Sequence, residues 1–101
     1  MKKTAKRPPV HPGRILKNEL SEAGLSANAA ALALRIPANR LTEIINGKRS
    51  ISADTAMRLG RYFGTSAQMW VNLQAKYNLQ KAEDELAARI ETEVQPMRQA
   101  S

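Results

Sequence analysis

Polar side chains recur between residues 39 and 46 at a spacing that would place them on one side of a helix. At about 100° per residue, this side carries Asn39, Thr42, Glu43 and Asn46, with Arg40 on its flank. An amide can bond adenine through two hydrogen bonds, a carboxylate can accept one from cytosine, and a guanidinium can reach guanine or a phosphate. The pattern therefore predicts a helix able to read base-pair edges, although the solvated face of an ordinary surface helix would have the same composition.

Basic residues adjoin this segment and dominate the charge of the chain. Lys48 and Arg49 follow it directly and could bind phosphates, contacts that position a protein on nucleic acid without reading its sequence. Across the 101 residues, sixteen Lys and Arg stand against nine Asp and Glu, which gives a net charge of +7. A basic domain of this size is drawn to polyanions, but charge alone does not distinguish DNA from RNA or from a membrane surface.

Two short helices are predicted around the turn that precedes these polar residues. Ser26 can cap the first helix, which continues through an alanine- and leucine-rich run to Leu34. Pro37 favours a first helical turn and disfavours helical geometry in the residue before it, so the second helix is expected to begin there. It ends at Asn46-Gly47, because glycine after a helix takes the left-handed conformation without a Cβ penalty. The two helices and their short turn form a helix-turn-helix unit.

Three further helices are expected to support this unit. One opens at Pro12, and another follows Ser52, which can cap it. A fifth helix starting at Thr65-Ser66 carries large apolar side chains in one stripe, and the sequence leaves open whether that stripe completes the core, contacts a partner, or does both. The stripe consists of Met69, Trp70, Leu73 and Tyr77.

The two ends of the chain differ from its centre. Residues 1–10 are polar, basic and interrupted by prolines, which predicts a flexible arm. Residues 11–80 form the predicted helical domain. Residues 81–101 are expected to be a helical or frayed tail, because Leu86, Ile90 and Val94 recur four residues apart and helix formers fill residues 80–93.

The common sequence signatures of catalysis and metal binding are absent. The sequence has no cysteine, no glycine-rich phosphate loop and no serine nucleophile motif, and its single histidine, His11, is interpreted as a helix-terminal or packing residue. We therefore expect neither an enzyme nor a bound cofactor or metal. No apolar run reaches the roughly 18 residues of a membrane span and no signal peptide is visible, so a cytoplasmic protein is expected.

Ordered sequence blocks between residues 10 and 80 resemble the HigA-type antitoxins of the Xre and lambda-repressor-like helix-turn-helix group. The blocks read HPGRIL from His11, LRIPANRL from Leu34, NGKRSISADTAMRL from Asn46 and YFGTS from Tyr62, followed by Trp70 and Leu73. The resemblance implies an all-α, five-helix repressor-like domain that dimerises partly through its C-terminal helices and binds an inverted-repeat DNA operator. It also implies a small HigB-like toxin partner, typically an mRNA endonuclease of the RelE class.

The resemblance also implies residue roles. The base-facing residues would be Ala38, Asn39, Arg40, Thr42 and Glu43. The residues near phosphates would be Ser26, Ala27, Asn28, Asn46, Lys48 and Arg49. Two positions depart from the broader repressor pattern: Arg35 stands in the turn where glycine is common, and Ala27 replaces a frequent glutamine. An arginine in that turn requires either a left-handed or strained backbone, or a turn of slightly different geometry.

Three alternative functions remain open from the sequence. The chain could be a repressor without a toxin partner, or a protein-binding module that keeps the fold without binding DNA. An RNA-binding protein is the third alternative, and it is disfavoured because the aromatic residues lie on the predicted core stripes instead of alternating with basic residues.

Overall fold

A computed structural model describes residues 7–97, and all five of their regular elements are helices. They are α1 (Pro12–Ala23), α2 (Ala27–Leu34), α3 (Ala38–Ile45), α4 (Ala53–Phe63) and α5 (Ala67–Glu93). The predicted all-α, five-helix class is confirmed. Most of the predicted N-terminal arm, and the last four residues of the predicted tail, lie outside the described residues.

Side-chain caps fix where the helices begin. Ser26, Ser52 and Ser66 each accept a hydrogen bond from the backbone N–H three residues later, at 3.1, 3.2 and 3.0 Å. These bonds satisfy N–H groups that have no partner inside the helix. Pro37 precedes α3 as its capping residue, so the helix begins at Ala38, one residue later than a proline in the first turn would require.

The core lies between the helices and includes side chains from all five. Its largest fully buried residues are Leu16 of α1, Leu41 and Ile44 of α3, Leu59 of α4 and Trp70 of α5. α3 packs on both α1 and α2, while α4 packs mainly on α5. Burial of one face of α3 therefore fixes which of its residues point outward.

α5 is longer than the sequence suggested. The helical tail is present up to Glu93, but it continues α5 without a break instead of forming a separate helix after residue 80. Residues 78–84 contain no glycine or proline, and Lys81 pairs with Glu85 at 2.8 Å across one turn, so nothing interrupts the helix there. At 1.5 Å per residue, α5 is about 40 Å long, and its only buried residues, Trp70 and Gln74, lie in its first third. Within residues 7–97, no helix is long and apolar enough to cross a membrane.

Candidate nucleic-acid interface

α3 exposes the polar face that the sequence predicted. Leu41 and Ile44 are fully buried beneath the helix, and Ile45 packs against the same core. On the opposite side, Ala38, Asn39 and Thr42 are exposed, while Arg40 and Glu43 are partly exposed. The structure thus brings the five predicted base-facing residues onto one side of one short helix, held from beneath by apolar contacts.

The turn before α3 has the unusual backbone expected from its arginine. Arg35 has φ 61° and ψ 44°, and among residues 7–97 it is the only non-glycine residue with a positive φ. Its N–H donates to the carbonyl of Leu32 at 3.2 Å, and the N–H of Ile36 donates to the carbonyl of Ala31 at 3.1 Å. The left-handed residue therefore closes α2 and sets the direction in which α3 leaves, as a glycine commonly does.

The polar side chains of α3 differ in how far they are already engaged. The Thr42 hydroxyl donates to the Ala38 carbonyl within the helix at 3.0 Å, so its hydrogen is engaged while its oxygen can still accept a hydrogen bond. Glu43 pairs with Arg49 at 2.7 Å, and Arg40 pairs with Asp54 at 3.3 Å. In the part of the chain that the structure describes, the Asn39 amide makes no such bond, so both of its hydrogen-bonding groups are available.

The loop after α3 carries the predicted phosphate-binding residues. Asn46 closes the helix and is exposed, Gly47 has φ 76°, and the N–H of Lys48 donates back to the Glu43 carbonyl at 2.8 Å. Lys48 and Arg49 are both exposed beside the end of α3. Because the Arg49 guanidinium already pairs with the Glu43 carboxylate, a phosphate that binds Arg49 would compete with that carboxylate.

The N-terminus of α2 supplies the other predicted phosphate contacts. The Ser26 side chain caps this helix through Ala29, so its hydroxyl oxygen is already an acceptor within the chain. Ala27 is partly buried and Asn28 is exposed. A phosphate at this helix end could therefore accept from backbone N–H groups, from the Asn28 amide and from the Ser26 O–H, which the cap leaves free to donate.

Known proteins share this arrangement over most of the chain. The sequence profile of the helix-turn-helix family matches residues 16–70, and virulence-associated protein I of Dichelobacter nodosus is 51% identical over 79 residues, 77% of this chain and 73% of that protein. The structure of an addiction module antidote protein of the HigA family from Coxiella burnetii shares 48% identity at a TM-score of 0.85, covering 89% of this chain and 99% of that one. The chain belongs to the HigA-type helix-turn-helix family.

A second solved HigA-type structure was determined together with DNA. It is the Pseudomonas aeruginosa antitoxin HigA with the higBA promoter, which is 47% identical and has a TM-score of 0.85, covering 89% of this chain and 99% of that one. The family membership of this chain therefore rests on both its sequence and its fold. The matched region contains the segment from α2 to α3.

Two residues that support the HigA-type fold were missed from sequence. Gln74 is buried on α5; its Oε1 accepts from the N–H of Ile51 at 2.8 Å and its Nε2 donates to Asn78 at 2.9 Å. Arg58 cannot be told from a surface charge by sequence, but it donates to the carbonyls of Leu34 and Arg35 at 3.0 and 3.4 Å. The bond between Gln74 and Ile51 and the two bonds from Arg58 join residues more than twenty positions apart, so no local pattern could have revealed them.

His11 is a packing residue at a helix terminus, as expected. Its Nδ1 accepts from the N–H of Gly13 at 2.8 Å, and its ring lies edge-on to Tyr77 with 4.8 Å between ring centres. Burial lowers the pKa of His11, and a hydrogen bond to the backbone of Arg49 acts in the opposite direction. In this HigA-type chain, His11 therefore connects the start of α1 with α5 and with the loop after α3.

One residue of the predicted partner stripe is not on the surface. Trp70 is fully buried and its indole N–H donates to the Thr65 hydroxyl at 3.1 Å, so it contributes to the core, one of the roles that the sequence left open for its stripe. Met69 and Leu73 are partly buried against the same core, and Tyr77 contacts His11. The stripe completes the core of the HigA-type fold at its centre and reaches the surface only at its edges.

Proposed function

We propose that this chain is a DNA-binding transcriptional repressor, acting as a homodimer, and the antitoxin of a toxin-antitoxin pair. The DNA-binding part of this proposal rests on one observation: α3 exposes a polar face, while its opposite, apolar side is buried in the core. That face presents Asn39, Arg40, Thr42 and Glu43 in a fold whose solved relatives include an antitoxin determined with promoter DNA. An α-helix of this kind fits the major groove, where each base pair has a distinct pattern of donors and acceptors.

In the proposed complex, the two copies bind an inverted repeat. A two-fold symmetric dimer would place its α3 helices in successive major grooves about 34 Å apart, so the half-sites lie one helical turn apart or a multiple of one turn. The N-terminus of α2, Asn46, Lys48 and Arg49 would contact phosphates and fix the position of α3 on the duplex. Ala38 contributes only a methyl group, which suits the methyl of thymine.

Exposed apolar side chains on α5 support the homodimer. Leu79, Leu86, Ile90 and, just after the helix, Val94 are 37–62% exposed. Their spacing of seven, four and four residues keeps them within about 80° of one another at the helical angle of 100° per residue. A second copy of α5 against this stripe would bury these side chains.

The DNA-binding proposal is tested by selection from a pool of random duplexes, followed by gel-shift titration of the selected sequence and of the upstream DNA of the gene. We expect an inverted repeat with a spacing of one or more helical turns. Binding without any selected motif, or no binding at all, would favour a protein-binding module that only keeps the fold.

Replacing Asn39 with Ala should weaken binding to the selected DNA by about 1–3 kcal/mol per half-site, because the free amide can bond adenine through two hydrogen bonds. Random duplex should be bound almost as well as before. The affinity of both duplexes is measured by titration, and Asn18→Ala, which removes an exposed amide on α1, is the matched control. An equal loss on selected and random DNA would remove Asn39 from the base-reading residues.

Replacing Lys48 with Gln should weaken binding to every duplex by a similar factor and reduce the dependence of log K on log salt by about 0.9 for each phosphate that the variant no longer neutralises. Arg49→Gln should cost more than Lys48→Gln, because it also leaves the Glu43 carboxylate unpaired beside the DNA. Binding constants at several salt concentrations give the slopes. Lys81→Gln removes one charge from α5 as a control, and a loss confined to the selected DNA would contradict the phosphate role.

The antitoxin role is supported by the names of the relatives, several of which are antitoxins. We propose that the chain binds a HigB-like toxin, an mRNA endonuclease of the RelE class, and holds it inactive, so that both roles are exercised in the cytoplasm. The test is colony survival when the small open reading frame beside this gene is expressed alone and then together with this chain. Rescue supports the proposal, whereas a harmless or unrescued neighbour would leave a repressor without a toxin partner.

A further inference from the structure

A connected row of three charged side chains lies beside the exposed face of α3; the row consists of Arg40, Asp54 and Arg58. Asp54 lies in the first turn of α4, and its Oδ1 accepts from Arg58 at 2.7 Å and from Arg40 at 3.3 Å. One carboxylate oxygen is therefore shared between a guanidinium of α4 and a guanidinium of the proposed reading helix. The hydrogen bond from Arg58 is also the largest cause that lowers the pKa of Asp54.

The row is anchored to the backbone at its inner end. Besides holding Asp54, Arg58 donates to the carbonyls of Leu34 and Arg35, at the end of α2 and in the turn before α3. These carbonyls are among the groups that a helix end leaves without a partner. The position of Asp54 is therefore tied to the same turn that sets the direction of α3.

The other charged pair near α3 lacks such an anchor. Glu43 and Arg49 contact each other at 2.7 Å, and neither side chain is bonded to backbone in the described part of the chain. Asp54 and Arg40 are 56% and 30% exposed, and exposed ion pairs of this kind contribute little to stability. The exposed pair of Asp54 and Arg40 is therefore not explained by a contribution to the stability of the fold.

We propose that Asp54, held by Arg58, is a positioning residue that sets the base-pair specificity of Arg40; this inference rests on the proposed function. A guanidinium reads guanine only when its planar fork lies along the base edge. A flexible arginine side chain loses conformational entropy when it is fixed against a base edge. A contact that already holds the side chain in the free protein reduces that loss on binding. The Asp54 carboxylate also opposes contact with phosphates, so the row favours base reading over indiscriminate attraction to DNA.

Asp54→Asn should lower base-pair discrimination on the selected DNA and raise affinity for random DNA. The probes are the duplex selected by the wild-type chain, its single-base-pair variants and a random duplex. Discrimination at one base pair of each half-site should fall by about fivefold, because Arg40 loses its charged partner. Affinity for the random duplex should rise by about twofold, because one negative charge near the DNA is gone.

The matched control is Glu85→Gln, which neutralises an exposed carboxylate in another pair spaced i, i+4, on α5. It should change neither discrimination nor affinity for the random duplex. Melting temperatures of both variants should stay close to that of the wild-type chain, and a loss of discrimination that accompanies a general loss of the fold would contradict a positioning role.

A double-mutant cycle separates positioning from any other effect of Asp54. Arg40→Ala should abolish discrimination at the same base pair, and Asp54→Asn should then cause no further loss. An equal loss in both backgrounds, or full discrimination in Asp54→Asn alone, would overturn the inference while leaving the proposed function intact. A wild-type chain that selects no motif would overturn both.

Discussion

Trp70→Ala should lower the free energy of unfolding by about 3–5 kcal/mol, which is the usual cost of removing a large aromatic side chain from a core. Trp70 is the largest fully buried side chain in the described part of the chain, and its indole N–H bonds the Thr65 hydroxyl. It connects the first turns of α5 with the core that α4 also enters. Because small domains are stable by about 5–15 kcal/mol, this loss would remove a large part of the total stability.

The measurement is urea unfolding followed by circular dichroism at one fixed protein concentration, since the proposed dimerisation would make apparent stability depend on concentration. Trp70→Phe is the control, because it keeps an aromatic ring in the core and loses mainly volume and the bond to Thr65; it should cost clearly less than alanine. A Trp70→Ala variant that kept its stability and lost only dimerisation would return Trp70 to a partner interface.

The apolar stripe on α5 illustrates what helical spacing can and cannot predict. The spacing shows that Met69, Trp70, Leu73 and Tyr77 share one side of a helix, but a core contact and a partner contact produce the same pattern. Only the positions of the other helices decide between them, and they bury Trp70 completely. The large apolar side chains of α5 that stay exposed, those of Leu79, Leu86 and Ile90, lie nearer its C-terminal end.

Features determined by local backbone chemistry were predicted well. The serine caps depend on residues within one helical turn, and each is found as expected. The left-handed backbone of Arg35 is one of the alternatives that the resemblance implied for an arginine in that turn. The outward side of α3 also follows from its own apolar positions. The proposed base-reading roles of that side still await the binding experiments, because exposure alone does not identify a ligand.

Features determined by contacts between distant segments could not be predicted. Arg58 looks like a surface charge in sequence, yet its guanidinium bonds carbonyls more than twenty residues away. Gln74 likewise looks like an exposed helix residue, but it satisfies the N–H of Ile51 in the connection before α4. Long polar side chains are compatible with solvent or with a buried partner, and the sequence does not distinguish these environments.

Gly13→Ala should destabilise the fold by about 3 kcal/mol and weaken DNA binding as well, because the new Cβ would overlap the carbonyl group of Ile44. Gly13 is buried in the first turn of α1, and the obstacle is the backbone of α3, which cannot rotate away as a side chain could. Relief would require α1 and α3 to separate. The end of α3 would then shift together with the loop that carries Lys48 and Arg49, so the proposed base and phosphate contacts would lose their common alignment.

Gly24→Ala separates this packing effect from the conformational preference of glycine. Gly24 has φ 69°, but a Cβ there would meet nothing within 4 Å, so alanine should cost only about 1 kcal/mol for its left-handed backbone. Its binding to selected DNA should remain unchanged once unfolded protein is accounted for. Urea unfolding and titration of both variants provide the comparison. Equal effects at the two positions would show that α1 and α3 can separate at little cost, and that the position of α3 does not depend on this contact.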